Sequence, residues 1–97
     1  MVEMNSISES EYRITDHARF EMNRRQITES DIEQILSDPE QIEKIRSGRV
    51  VCQSLIKLGK PSKKYLLRVF VDIDRKPMEV VTAYRTTKVK KYWRQKI

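Results

Sequence analysis

The sequence has one cysteine, one histidine and two glycines, and each scarcity excludes a class of chemistry. Cys52 has no partner for an internal disulfide, and a zinc site built from the usual His and Cys ligands is not expected. Without a glycine-rich phosphate loop, nucleotide-cofactor chemistry has no support, and no cofactor is called for. No apolar run approaches the roughly 18–20 residues of a membrane span. Met1–Glu11 does not read as a secretory leader, so a cytoplasmic protein without a membrane partner is expected. With only 2 Gly and 3 Pro in 97 residues, low-complexity disorder is also excluded. What remains is one domain with one modest core.

Charge is plentiful and uneven. Residues 1–56 hold 7 basic and 11 acidic side chains, a balance of −4. Residues 57–97 hold 13 basic and 3 acidic ones, a balance of +10. The second half therefore attracts polyanions, or its lysines only keep an exposed face solvated.

Residues 1–13 are polar and acidic, and are expected to be a flexible segment ahead of a single domain over 14–97. Ile14–Arg25 predicts a first helix capped by Thr15 or Asp16. Thr28 opens a second helix, with Asp31 three residues on as the partner in a capping box. Ile32, Ile35 and Leu36 form its buried stripe, and Asp38-Pro39 ends it. Strands are expected over Gln41–Arg46, Val50–Leu58, Lys64–Ile73 and Met78–Arg85. Thr86 or Thr87 is placed to cap a last short helix, Lys88–Gln95. The predicted class is α+β: two N-terminal helices packed on a four-stranded antiparallel sheet, with a short C-terminal helix.

A four-residue turn at Asp74–Pro77 sets the register of the last hairpin. Leu67 then faces Tyr84, Val69 faces Thr82 and Val71 faces Val80, all on the side that receives the helices. Arg68 and Phe70 share the opposite side with Arg85, and the two guanidinium groups meet there.

Thr15-Asp16-His17-Ala18-Arg19-Phe20-Glu21-Met22-Asn23-Arg24-Arg25-Gln26-Ile27 resembles the opening helix of a small bacterial family. Val80-Val81-Thr82-Ala83-Tyr84-Arg85-Thr86-Thr87, followed by Lys91-Tyr92-Trp93, resembles its closing motif. That family resembles the BrnT-like toxins of the RelE/ParE toxin superfamily. The likeness spans about Ile14 to Trp93. One departure stands out: Gln26 occupies a position where glycine is common, so the first helix closes without an easy left-handed residue. The resemblance implies a RelE-like two-layer fold and the toxin component of a type II toxin–antitoxin system. It further implies metal-independent endoribonuclease activity on mRNA, including ribosome-bound mRNA, and an acidic antitoxin partner. A non-enzymatic RNA-binding or ribosome-associated module and a protein-interaction domain without catalysis are the alternative readings.

Such cleavage needs a base for the ribose 2′-OH, an acid for the leaving 5′-oxygen and a cation for the transition state. His17 is one turn before Glu21 and serves as base or acid, or packs as a half-buried helix residue. Arg68 and Arg85 are the candidate cations, with a planar fork suited to phosphate oxygens. Alternatively, Arg68 bridges to Asp72 or to a helix acid, and Arg85 is structural. Tyr92 donates a proton or stacks a base, or folds back onto the core. Lys88, Lys90, Lys91 and Arg94, interleaved with Trp93, are the expected RNA contacts or the surface an acidic antitoxin covers. Lys63 and Lys64, with Lys60, extend this surface or belong to a solvated loop.

Overall fold

The computed structural model describes residues 6–8 and 11–95. In chain order the elements are β1 (Tyr12–Ile14), α1 (Asp16–Arg25), α2 (Glu29–Ser37), β2 (Gln41–Arg46), β3 (Arg49–Leu58), β4 (Lys63–Asp72), β5 (Met78–Thr86) and α3 (Val89–Tyr92). The first helix, expected over Ile14–Arg25, begins at Asp16 behind its Thr15 cap, and Ile14 belongs to β1; the second starts after Thr28 as the sequence indicates. The Thr15 hydroxyl accepts from the Ala18 amide at 3.1 Å. Thr28 and Asp31 complete a reciprocal capping box, at 3.0 and 2.9 Å. Each cap satisfies helix amides that have no partner within the helix, a contribution of about 1 kcal/mol.

The sheet corrects the expected four antiparallel strands. It is five-stranded and mixed, in the order β1-β5-β4-β3-β2. The additional strand is β1, which lies parallel to β5 with Tyr12 opposite Met78 and Ile14 opposite Val80. The flexible segment expected over 1–13 falls largely on residues 1–5, 9 and 10, which lie outside the described residues. Where this stretch is described it belongs to the fold. Ile7 is buried in the core and donates its amide to the Leu36 carbonyl at 2.7 Å.

One face of the sheet carries the helices. Val50, Cys52, Leu67, Val69, Val71, Val80 and Ala83 pack there against Ala18, Met22, Ile32, Ile35 and Leu36. α1 lies over β5, and α2 over β3 and β4. No helix among the described residues is long and apolar enough to cross a membrane.

The register of the last hairpin holds only at its turn end. Val71 pairs with Val80 and Asp72 with Glu79, as expected. Phe70 then pairs with Thr82, leaving Val81 as an extra residue on β5. A one-residue bulge sends every later side chain to the other face. Ala83 and Arg85 therefore turn toward the helices, in place of Thr82 and Tyr84. Thr82 and Tyr84 join Arg68 and Phe70 on the opposite, open face. The small, fully buried Ala83 lets α1 sit close, and Arg25 donates to its carbonyl at 2.8 Å.

α1 ends at Gln26, which adopts the left-handed conformation with φ 57°. A side chain with a Cβ is strained there by about 1 kcal/mol or more. Gln26→Gly is therefore expected to stabilise the domain by about 0.5–1 kcal/mol after glycine's own entropy cost. Thermal unfolding checks this: a rise of a few degrees is expected at this chain length, and a fall would contradict it.

At the turn end of the sheet, Arg49 holds Asp72 through two hydrogen bonds of 2.6 and 3.1 Å. Arg75 approaches both Asp72 and Glu79, and Arg13 pairs with Glu79. The hydrogen bond from Arg49 holds the Asp72 carboxyl below the usual carboxylate range. A depressed carboxylate stabilises the fold at pH values above its unfolded value of about 3.9, and that stability is lost as pH falls through the folded value. Asp72→Asn is thus expected to be less stable than wild type at neutral pH, with the gap closing in acid. Urea unfolding at a series of pH values tests this; a gap independent of pH would contradict it.

Candidate functional site

Alternate residues of four strands build the open face. Gln41 of β2 is opposite Gln53 of β3, Gln53 is opposite Arg68 of β4, and Arg68 is opposite Tyr84 of β5. The chain after β5 crosses this face as α3 and the residues beyond it. Gln41 secures the crossing with both ends of its amide. Its Nε2 donates to the Arg94 carbonyl at 2.6 Å, and its Oε1 accepts from the Arg94 amide at 3.1 Å. The Arg94 guanidinium also reaches Glu43 at 3.3 Å.

Arg68 sits at the centre and is only 6% exposed. Its Nε donates to Gln53 Oε1 at 2.9 Å and its Nη1 to the Tyr84 hydroxyl at 2.6 Å. The guanidinium carbon lies 4.1 Å from the Tyr92 ring centre, 5.2 Å from Phe70 and 5.7 Å from Tyr84. Aromatic faces stabilise a desolvated cation by up to about 2 kcal/mol each. The salt bridge from Arg68 to Asp72 or a helix acid does not form: Asp72 is taken by Arg49, and no described carboxylate lies within ion-pair distance of Arg68. A buried guanidinium compensated only by neutral partners favours an incoming anion, because its charge is little screened there. Among the described residues its Nη2 makes no hydrogen bond.

The two tyrosines over Arg68 are set apart in their readiness to ionise. Burial pushes the Tyr84 phenol up. Tyr92 is pulled below the usual phenol range, first by its hydrogen bond with Tyr84 and also by the charges of Lys91 and Arg68. Lys91 Nζ lies 5.3 Å from the Tyr92 ring centre. One phenol thus keeps its proton while its neighbour releases one more easily, the separation an acid–base site requires.

Of the residues the sequence singles out, the structure brings Arg68, Tyr92 and Lys91 together. Lys88, Lys90 and Arg94 are exposed along the same crossing segment, and Trp93 is half-buried within it. Lys63 and Lys64 are exposed at the start of β4. Gln53, Gln41 and Tyr84 escaped sequence reading. Gln53 had a usable signal: a long polar side chain inside the apolar stretch Val50–Leu58 must find partners when buried. The cleft between the ends of α1 and α2, lined by Arg19, Met22, Gln26 and Glu29, contains none of these residues.

His17 and Arg85 are not brought together, nor to Arg68. The Val81 bulge turns Arg85 to the helix side, where it donates to the Arg25 carbonyl at 2.5 Å and the Gln26 carbonyl at 3.3 Å. It closes the C-terminal end of α1 and complements the carbonyl end of its dipole. His17 is exposed in the first turn of the same helix, eight residues before Arg25 and therefore about 12 Å away along the axis. α1 packs on the opposite side of the sheet from Arg68. Glu21, the expected partner of His17, has its carboxylate engaged by Arg24 and Arg25. His17→Ala is accordingly expected to change stability by no more than about 0.5 kcal/mol, within the range of surface substitutions. Arg85→Ala is expected to cost about 1–3 kcal/mol through the carbonyls it leaves without donors. Parallel unfolding of the two variants checks both; a His17→Ala variant destabilised as much as Arg85→Ala would contradict the placement.

Residues 14–89 match the family model described as a domain of unknown function, DUF4258. The chain belongs to this family. The DUF4258 stretch runs from the last residue of β1 to the first of α3. It contains Arg68, Tyr84 and Gln53, while Lys91 and Tyr92 follow directly after it. No curated protein and no solved structure matches the chain.

Proposed function

We propose that this DUF4258 chain is the toxin component of a type II toxin–antitoxin system, a RelE-like endoribonuclease of the cytoplasm acting on mRNA. The observation that carries the reading is Arg68: a buried cation with no carboxylate partner among the described residues, lying beneath a tyrosine whose phenol is shifted toward release of its proton. In the proposed reaction a scissile phosphate binds against Arg68 and Lys91. Tyr92, as phenolate, takes the proton of the ribose 2′-OH. The 2′-oxygen attacks phosphorus and the bond to the 5′-oxygen breaks. Lys91 protonates that oxygen as it leaves. Arg68 stabilises the extra negative charge on the phosphoryl oxygens. Tyr84 keeps its proton and orients both Arg68 and Tyr92. Lys88, Lys90 and Arg94 track neighbouring phosphates, and Trp93 offers a stacking surface. An acidic antitoxin segment covering the same lysines would silence the site.

The engagement of Arg68 favours one rival. Two of its nitrogens are committed to Gln53 and Tyr84, a pattern that also suits a rigid RNA-binding module without catalysis. Induced expression with a growth curve and transcriptome-wide mapping of RNA ends separates the two. The nuclease reading expects growth arrest with new RNA ends. RNA binding without new ends would favour the module.

A further inference from the structure

We infer that the open face holds a second anion site, formed by Lys57 and Lys64, which takes backbone phosphates of a single RNA strand whose reacting phosphate lies at Arg68. The inference rests on the RNA reading above and names a contact that the reading does not require. Lys57 and Lys64 are directly opposite one another in the β3–β4 ladder, and both are exposed. Alternation places them on the same face as Gln53 and Arg68. Two like charges opposed across a ladder destabilise a sheet, so the pair needs a counter-charge.

The described residues supply none. All ion pairs among them use arginine, and no lysine takes part in one. The three acids of the C-terminal half, Asp72, Asp74 and Glu79, lie at the opposite end of β4 and β5. A bound anion would supply the counter-charge that no described ion pair gives the two lysines.

Its chemistry follows from what lies between the two cationic points. Lys64 precedes Arg68 by four residues on one strand, about 13 Å. Leu55 and Leu66, paired with each other, occupy the interval; Leu66 is fully buried, so half-buried Leu55 is the one of the two that a ligand can meet. Tyr92, whose ring covers Arg68 and whose carbonyl accepts from Gln53, borders its Arg68 end. Cations at both ends of an apolar and aromatic interval suit a strand of phosphates whose bases lie flat between them. Lysine heads serve as point charges for phosphates without fixing sequence.

The test is equilibrium binding of oligoribonucleotides carrying a 2′-deoxy sugar at the scissile position, from dinucleotide to octanucleotide, across a salt series. In wild type, affinity and salt dependence are expected to rise with length until the strand reaches Lys57 and Lys64. In the double variant Lys57→Gln with Lys64→Gln, the slope of log K against log salt for the octanucleotide is expected to fall by about 1.4, two single-strand phosphate contacts. The dinucleotide, too short to reach the pair, reports whether the loss is local. An unchanged octanucleotide slope, or an equal loss on the dinucleotide, would overturn the subsite. So would a poly-glutamate peptide that binds wild type as tightly as RNA does and loses affinity in the variant, since the surface would then be a protein-docking one. Thermal unfolding of the variant at or above wild-type stability is expected, because a repulsion is removed. If wild type binds the octanucleotide through the pair yet never cleaves its all-ribose form, the nuclease reading fails and the subsite stands.

Discussion

Tyr92→Phe is expected to fold like wild type and to cleave RNA about 10²–10⁴-fold more slowly, the range for loss of a general base. The substitution keeps the ring that covers Arg68 and removes only the hydroxyl. Stability is therefore expected to change by less than about 1 kcal/mol, the scale of one neutral hydrogen bond. The pH profile separates chemistry from packing. With Tyr92 acting as phenolate, the wild-type rate climbs as pH rises and levels off below the ordinary phenol value of about 10. That direction follows from the hydrogen bond with Tyr84 and the neighbouring cations. In Tyr92→Phe this limb is expected to vanish. Tyr84→Phe removes the hydrogen bond that pulls Tyr92 down, so its profile shifts to higher pH. A Tyr92→Phe enzyme with the wild-type rate and profile would remove Tyr92 from the chemistry.

Arg68→Ala is expected to lose activity and stability together. Removing a cation aimed at the transition-state charge costs about 10²–10³-fold in rate. It also leaves the buried Gln53 carbonyl without its donor, a penalty of about 1–3 kcal/mol. Arg68→Lys separates the two effects. An ammonium is a single point of charge and cannot bond Gln53 and Tyr84 while lying flat beneath Tyr92. This variant is expected to regain much of the stability and little of the rate. The loss should fall mainly on kcat, because the lost contact strengthens as charge builds on the phosphoryl oxygens. Full activity in Arg68→Lys would show that charge alone suffices. A rise in KM with kcat unchanged would make Arg68 a binding residue and favour the module without catalysis.

Much of this architecture was legible because local signals and periodicity agree. Thr15, the Thr28 and Asp31 pair, and Asp38-Pro39 place both helices without reference to tertiary contacts. β3, β4 and β5 are equally plain in their apolar density, whereas β2 is a weak candidate with only Ile42 and Ile45 apolar. β1 was not legible, since three residues carry no period and each pairs with a β5 residue 66 positions further along. The bulge at Val81 was hidden for a different reason. Val80, Val81 and Ala83 are all apolar, so both registers of β5 present an apolar residue to the helices. Only the contrast between Thr82 and Ala83, and between Tyr84 and Arg85, distinguishes them. That single residue decides the site, because it exchanges Arg85 for Tyr84 beside Arg68. It also converts the scarcity of histidine from a pointer toward His17 into a reason for a site made of arginine, lysine and tyrosine.

The central claim is that the cluster around Arg68 directs a ribose 2′-oxygen at the neighbouring phosphate. Single-turnover assays with purified protein on an oligoribonucleotide, and on the same strand with one 2′-deoxy sugar at the mapped cleavage position, test it most directly. The account predicts cleavage of the first to a 2′,3′-cyclic phosphate and a 5′-hydroxyl. The second is expected to bind with similar affinity and remain intact. Scission of the deoxy-substituted strand at that position, or binding of both strands with no scission of either, would contradict it.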